Sequence, residues 1–203
     1  MREHPILFNG ADVRAILAGQ KTQTRRVAKG VAAVHARTGE ALADLDSAGP
    51  SVQCPFGQPG DRLWVREAHA IFPTHGQHRA DGERWGPWSG LPTTISPMGG
   101  EIAYYREGFD RSGPGRWRPS IHMPRWACRL VLEITAVRVE RLQAISTQDC
   151  LAEGITTRFK VADAADELRI QFRDIWNDTG GDWESNPWVW VIEFNRINEV
   201  SNG

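Results

Sequence analysis

The longest strand-forming pattern in this chain spans residues 128–142, and it changes phase partway along. Leu130, Leu132 and Ile134 alternate with polar or charged residues, and the apolar positions then move to Val137 and Val139. Because side chains of a strand point alternately to its two faces, a change of phase within one strand indicates a bulge or a corner. Such bends allow a sheet to curl into a barrel, so the pattern favours a curved sheet.

Strand-forming segments outnumber helical ones, and the chain lacks the alternating β-α-β order of a parallel sheet. A strand is predicted to begin within residues 19–27, and further strands are predicted over residues 62–67, 102–105 and 188–196, the last apolar on both faces and therefore central. The sequence predicts an α+β fold that is mostly β: a small, largely antiparallel β-barrel decorated by helices.

Three helices are predicted between these strands. The first covers residues 11–18 and is capped by Asn9. A second, short helix follows the capping-box pattern that begins at Ser146, and it stops at Gly154. A third runs from a cap at Asp163 to about residue 177 and carries a buried apolar stripe.

The length of 203 residues is that of one domain. Two stretches interrupt the predicted elements: residues 28–57 are rich in Ala, Gly and Ser, and residues 72–100 are rich in turn residues. We therefore predict a single domain over residues 1–203 with two loop insertions, at about 28–57 and 72–100. Long loops in compact domains are commonly functional or mobile.

The formal net charge of −1 hides an uneven distribution of charge. Residues 1–39 carry seven Lys or Arg against two acids, and residues 106–141 carry eight against four. Residues 40–105 carry four against eight, and residues 142–203 carry five against eleven. If the two basic stretches meet in the fold, they form a positive surface that attracts an anionic partner such as nucleic acid.

Several classes of protein are disfavoured. No run approaches the roughly 20 apolar residues of a membrane-spanning helix, and the first ten residues lack the apolar core of a signal peptide, so we expect a cytoplasmic protein without membrane association. Three cysteines without a CxxC pair argue against a disulfide framework or a zinc knuckle. Phosphate-loop, dinucleotide-binding and histidine-ligand motifs are absent, so we expect neither a metal nor a cofactor.

A short motif follows the first predicted helix. Gly19, Lys21, Thr24 and Arg26 fill the four positions of the pattern GxKxx[E/T]xR. This pattern resembles the signature of the ASCH family, a branch of the PUA-like β-barrels.

The order of elements along the whole chain is similar to that family as well. It runs from a Pro-Gly-Asp turn and strand at residues 59–67 through residues 117–126, the long strand and the Ser-capped helix to the closing strand. In this respect the chain looks like the longer ASCH proteins of bacteriophages and prophages.

The resemblance implies binding of RNA or modified nucleosides, and one bacterial branch of the family hydrolyses the amide of N4-acetylcytidine. In that branch a lysine and a threonine of the motif act with a glutamate of the later helix, and they fall here on Lys21, Thr24 and Glu153. Many members carry glutamate where this chain has Thr24, so the match is to the hydrolase pattern. The implied function is metal-independent hydrolysis of an acylated cytosine or cytidine.

The three residue types suit this chemistry. Amide hydrolysis needs a nucleophile, an acceptor for its proton, and a donor for the leaving amine or the oxyanion. Thr24 would attack if Lys21 were a neutral base, which requires the lysine pKa of about 10.4 to fall through burial beside Arg25 or Arg26. Glu153 would hold the edge of the base or relay a proton. Residues 21 and 24 face opposite sides of a regular strand, so either a bulge or turn brings them together or Thr24 is not the nucleophile.

Further candidate binding residues lie near the two basic stretches. Arg26 belongs to the motif, and Arg66 and Glu67 either line the pocket or pair with each other. The segment 117–126 combines cations with flat rings, a composition suited to stacking bases and gripping phosphates. Its candidate residues are Trp117, His122, Arg125 and Trp126.

Three functions remain open at this point. The first is the amidohydrolase, and the second is a non-catalytic module that recognises single-stranded or modified nucleic acid through the same pocket. The third is a ribonuclease that uses Lys21 and neighbouring arginines, for which the motif supplies no histidine. In each case the expected partner is a nucleoside or a single-stranded nucleic acid, RNA in preference to DNA.

Overall fold

The computed structural model describes residues 1–29, 53–78, 84–85, 88–112 and 116–197, and strands dominate within these ranges. The strands are β1 (Glu3–Leu7), β2 (Gln23–Val27), β3 (Arg62–Arg66), β4 (His69–Pro73), β5 (Gln77–His78), β6 (Arg84–Trp85), β7 (Thr93–Ile95), β8 (Glu101–Tyr105), β9 (Val131–Arg141) and β10 (Trp188–Ile197). The α-helices are α1 (Gly10–Leu17), α2 (Thr147–Ala152) and α3 (Ala165–Asp178). Single 3-10 turns lie at Ser120–His122, Arg125–Ala127, Leu142–Ala144 and Val161–Asp163. The predicted fold class, α+β and mostly β with decorating helices, is confirmed.

Five strands form the main sheet in the order β1-β3-β9-β10-β2. β1 pairs with β3 in parallel, and the other neighbours pair in antiparallel fashion. β10 lies between β9 and β2, in the central position that its apolar sequence predicts. β9 carries the predicted irregularity, because Ile134 pairs with Phe194 and Ala136 with Glu193, which leaves Thr135 as an extra residue. This bulge explains the change of phase in the apolar pattern, and it bends the strand.

β10 is buried on both faces. Trp190 and Ile192 pack into a cluster that also contains residues of α1, β1, β3 and β9. Val189 and Val191 point the other way and pack against residues of α2 and α3. The main sheet therefore separates α1 from the other two helices. β2 is the edge strand next to β10, so helices on both faces of the sheet lie near it.

A second sheet, of three strands in the order β4-β8-β7, follows β3 in sequence, and β5 pairs with β6. Five rings form an edge-to-face cluster with centroid separations between 4.9 and 6.2 Å: those of Phe72, Trp88, Tyr104, Phe109 and Trp117. The interval 72–100, predicted as a loop, thus contains short strands, which carry too few residues to show a pattern. Most of the insertion predicted at 28–57 lies outside the described residues.

Two of the three helix caps predicted from the sequence are confirmed. Asn9 caps α1 by accepting a hydrogen bond of 2.9 Å from the first turn. Ser146 and Asp149 form a complete capping box at the start of α2. The predicted cap of α3 is wrong, because Asp163 lies in the 3-10 turn that precedes the helix and Ala164 occupies the cap position. No helix in the described part of the chain is long and apolar enough to cross a membrane.

Candidate functional site

A pocket of about 310 Å³ lies where α1, β2, α3 and the end of α2 meet. Its charged and hydroxyl-bearing walls include Asp12, Lys21, Thr24, Arg25, Arg26 and Glu153, and its aromatic walls are Phe8, Phe172 and Trp176. Aromatic surface combined with a few convergent polar groups is the usual composition of a small-molecule site.

Lys21 lies in the wall of this pocket with its side chain only 4% exposed. Its Nζ donates hydrogen bonds to Oε2 of Glu153 at 2.7 Å and to the Glu153 carbonyl at 3.0 Å, and Oδ1 of Asp12 is 3.4 Å away. An ammonium group has three protons to donate, and here three oxygens face it. The geometry therefore suits an ammonium ion, and it does not fit the neutral base beside cations that the sequence suggested.

The backbone brings Lys21 and Glu153 together. The two residues form an isolated antiparallel bridge between the end of α2 and the segment before β2. Gly154 follows with φ of +91°, and a Cβ atom there would lie 3.0 Å from Cβ of Ala15 and 3.1 Å from Cβ of Lys21. Only glycine suits both the conformation and the close approach. The glycine that ends α2 thus allows the glutamate to reach the lysine.

Thr24 lines the same pocket and is 4% exposed. Lys21 precedes β2, which begins at Gln23, so the alternation of a regular strand does not separate residues 21 and 24. The structure places both residues in the wall of one pocket.

Arg25 holds Glu153 from the side opposite Lys21. Its Nη1 donates to Oε1 of Glu153 at 3.1 Å, and its Nη2 donates to Oε1 of Glu140 at 2.5 Å. Asp149 lies 3.3 Å from the same Nη2, and the arginine side chain is 1% exposed. Each oxygen of the Glu153 carboxylate is therefore bound by a different cation. Sequence reasoning named Arg25 only as a neighbour of Lys21, since its partners lie more than 100 residues away along the chain.

The ion pairs continue from Arg25 toward the surface. Arg138 on β9 contacts Asp149 at 2.7 Å and Glu140 at 3.2 Å, and it also contacts Glu193 on β10. Burial raises the pKa of Asp149, but hydrogen bonds from Ser146 and the charges of the two arginines outweigh burial and lower that pKa to about 2. The Glu153 carboxylate thus lies within a chain of alternating charges that runs from Asp12 and Lys21 on one side to Arg25, Asp149 and Arg138 on the other.

Arg26 lines the pocket in a different manner from Arg25. Its Nη2 donates to the Leu7 carbonyl at 2.7 Å, and its guanidinium carbon lies 5.2 Å from the ring centroid of Phe8. Burial lowers the pKa of Arg26, partly offset by the charges of Asp12 and Glu153. It forms no ion pair within the described ranges.

The remaining predicted site residues do not line this pocket. Arg66 donates to the Ile121 carbonyl, and Glu67 is buried and binds Arg129 through two hydrogen bonds of 2.8 Å. The predicted pair between Arg66 and Glu67 is therefore replaced by a pair with Arg129, and burial raises the pKa of Glu67 in spite of it.

The segment 117–126 contributes Ser120 to the pocket wall, and its four predicted binding residues lie elsewhere. Trp117 packs edge-on against Phe109 with centroids 5.2 Å apart, and Trp126 packs against the buried cluster around Tyr105 and Met123. Arg125 pairs with Glu3 at 3.0 Å, and His122 is exposed on a 3-10 turn. The rings of this segment serve packing, which is the commoner use of tryptophan.

Metal and thiol chemistry have few candidates. No group of three or more His, Cys, Asp or Glu side chains in the described ranges is arranged to hold a metal ion. Cys54, Cys128 and Cys150 carry free thiols. Burial raises the pKa of Cys150 to about 11.

No protein-family model matches the chain, and no curated protein matches it. Among solved structures, the chain is similar to the crystal structure of an ASCH domain from Lactobacillus crispatus JV V101. The two share 13% sequence identity with a TM-score of 0.36, and the match covers 96% of this chain and 79% of that chain.

Proposed function

We propose that this chain is an ASCH-type domain, of the longer kind found in phages and prophages, that hydrolyses the exocyclic amide of an acylated cytosine such as N4-acetylcytidine without a metal. The observation that carries the proposal is the meeting of Lys21, Thr24 and Glu153 in the wall of one pocket. These are the three positions to which the motif resemblance assigns the catalytic groups. Lys21 and Glu153 lie 132 residues apart in sequence, so local spacing does not explain their contact.

The pocket suits a flat, polar ring. Phe8, Phe172 and Trp176 offer aromatic surface on which a base can stack. Lys21 and Glu153 supply a donor and an acceptor, as the edge of a pyrimidine requires. The volume of about 310 Å³ lies at the lower end of the range for small-molecule sites.

In this proposal Thr24 is the nucleophile. Its hydroxyl oxygen attacks the acyl carbon while Glu153 accepts the hydroxyl proton, and the Lys21 ammonium stabilises the oxyanion. The carbon–nitrogen bond then breaks, Glu153 returns the proton to the exocyclic nitrogen, and the free amine of the base leaves. Water hydrolyses the acyl-threonine ester, which releases the carboxylic acid and restores the hydroxyl.

A second candidate is a binding module that recognises the same base without chemistry. The observation that favours it is the engagement of both Glu153 oxygens by cations, which is an arrangement suited to a fixed recognition group as well. Such a module would hold a modified cytosine of an RNA strand in the pocket.

Incubation of the purified protein with N4-acetylcytidine, followed by chromatography for cytidine, tests the proposal. We expect cytidine to form, and we expect Lys21→Ala and Thr24→Val each to slow its release by at least about 100-fold. Lys160→Ala changes one of the two other lysines, at an exposed position, and serves as the matched control.

Failure to form any cytidine would eliminate the hydrolase for this substrate. Binding of the unreacted nucleoside, measured by calorimetry and lost in Lys21→Ala, would then support the binding module.

A further inference from the structure

A second cavity, of about 260 Å³, adjoins the pocket. Arg25, Arg26, Trp176 and Thr179 line both cavities, and Val27 with two glycines completes the second. The two cavities differ in charge. The pocket contains the carboxylates of Asp12 and Glu153, whereas the second cavity is lined by two arginines and by no carboxylate of the described residues.

The two arginines of this cavity are not equivalent. Arg25 is neutralised by the carboxylates of Glu140, Asp149 and Glu153. Arg26 makes its hydrogen bond to a carbonyl, forms no ion pair within the described ranges, and leaves Nε buried without a hydrogen-bond partner. A guanidinium has five donors in a planar fork, and apart from the buried Nε and the bond to Leu7, its other donors are not engaged by the described residues. Arg26 is thus a partly desolvated cation that has no direct ion pair among the described residues, although the charges of Asp12 and Glu153 act on it from the neighbouring pocket.

The mouth of the second cavity is open to solvent. Thr179 and Gly180 are exposed, and Val27 on β2 is 46% exposed. A ligand can therefore continue from this cavity into solvent while one of its groups rests against Arg26.

We propose that the second cavity binds a phosphate group through Arg26, so that the substrate is a cytosine nucleotide or a nucleotide of a nucleic-acid strand and not a free nucleoside. The placement of the base rests on the proposed function, whereas the phosphate site does not depend on the chemistry. Phosphate is the group that fits, because an arginine fork binds its oxygens in a bidentate manner and no acid lines the cavity.

Calorimetric titration at low salt with cytidine, cytidine 5′-monophosphate and inorganic phosphate tests the proposal. We expect the monophosphate to bind at least about tenfold more tightly than cytidine, because its phosphate adds hydrogen bonds to a charged group, which typically increase affinity by that factor or more. Arg26→Gln abolishes this difference, and Arg26→Lys retains part of it.

Val27 offers a matched pair of variants that leaves Arg26 in place. Val27 lines the second cavity and not the pocket, so Val27→Glu adds a carboxylate there while Val27→Gln adds the same bulk without charge. We expect Val27→Glu to remove the preference for the monophosphate and Val27→Gln to keep it. A short oligocytidylate that binds more tightly than the monophosphate, with strong salt dependence, would identify a strand as the phosphate source; equal affinity would identify the mononucleotide.

Equal binding of cytidine and the monophosphate overturns the phosphate site and leaves the hydrolase standing. A preference that survives Val27→Glu also overturns it, as does the absence of binding by all three probes. Binding of inorganic phosphate that is sensitive to Val27→Glu, without binding of cytidine, supports the phosphate site and contradicts the proposed function.

Discussion

Glu153 is the residue on which the candidate site depends most. Its side chain is 6% exposed, and its two oxygens contact Lys21 and Arg25. A buried carboxylate is stable only when it is paired and hydrogen-bonded. Both cations therefore have a structural role in addition to any role in binding or chemistry.

Replacement of Arg25 tests that structural role. Arg25→Gln leaves Glu153, Glu140 and Asp149 close together without their shared cation, and we expect it to lower the free energy of unfolding by about 3–5 kcal/mol. Urea denaturation measures the loss. Arg173→Gln changes an arginine whose contact is an exposed neighbour on the same helix, so its effect should stay within about 0.5 kcal/mol. Equal stability of the two variants would show that the buried arginine is not needed as a counter-charge.

At this scale the sequence predicts the site in part. The motif indicates Lys21 and Thr24, and the resemblance assigns the glutamate to Glu153. Neither the motif nor the resemblance indicates that Arg25 binds Glu153 and Glu140. Glu140 lies 115 residues away from Arg25, and no local spacing connects the two. The composition of residues 117–126 suggests binding of nucleic acid. In the structure Trp117 packs against Phe109, a contact that no sequence pattern predicts.

Among the elements, α2 matters most to the site. Its six residues are too few to form a stable helix by themselves, so caps and tertiary contacts must hold it. Ser146 and Asp149 fix its start, and Gly154 fixes its end beside Lys21. The direction of this short helix decides where Glu153 lies.

The cap of α2 makes stability depend on pH in a defined sense. The pKa of Asp149 is lowered from 3.8 to about 2 in the folded protein, so its carboxylate stabilises the fold fully above its ordinary pKa. That stabilisation is lost as the pH falls through about 2. We expect Asp149→Asn to lower the free energy of unfolding by about 1–2 kcal/mol at neutral pH, after allowance for partial exposure.

The measurement is urea denaturation across pH, and the gap between wild type and Asp149→Asn should narrow as the pH falls from about 4 toward 2. Asp174→Asn, on the exposed face of α3, provides the comparison. A gap that does not change with pH would mean that the carboxylate charge contributes nothing to the cap.

Element prediction succeeds where a pattern is long and fails where it is short. The phase change around Ile134 predicts the bulge of β9, and the apolar run of β10 predicts its central position. Strands of two or three residues, such as β5, β6 and β7, show no period at all. Asp163 has the residue type of a cap, but it lies in a 3-10 turn, and the cap position of α3 is the next residue, Ala164.

Across the described part of the molecule, ion pairs join several of the charges that are unevenly distributed along the sequence. Cations of the first basic stretch meet acids of the carboxyl-terminal acidic stretch: Lys21 and Arg25 contact Glu153, and Arg25 also contacts Asp149. In the second basic stretch, Arg129 binds Glu67. Several cations of the positive surface expected from the sequence are therefore neutralised in these pairs, whereas Arg26 forms no ion pair with the described residues.

The fold as a whole should lose stability in mild acid through His69. This histidine is fully buried, its Nδ1 faces the Glu67 carbonyl at 3.1 Å, and its Nε2 has no hydrogen-bond partner among the described residues. Burial lowers its pKa from 6.5, so below that pH the unfolded chain binds a proton that the folded chain does not. Stability then falls as the pH falls, by up to about 1.4 kcal/mol per pH unit for this group.

Thermal or urea unfolding between about pH 7 and pH 5 checks this expectation. His69→Gln should flatten the dependence even if it lowers stability overall, and His122→Gln at an exposed turn is the control. An unchanged slope in His69→Gln would place the acid sensitivity in another group.

The bridge between Lys21 and Glu153 also has a consequence for the synthesis of the chain. It closes a loop of 132 residues, and contacts so distant in sequence form only after the strands between them have assembled. During synthesis on the ribosome, Lys21 is added 132 residues before Glu153, so it lacks the Glu153 carboxylate until that residue has been added. A chain that ends before residue 153 therefore carries the motif but lacks the carboxylate that pairs with Lys21 in the pocket wall.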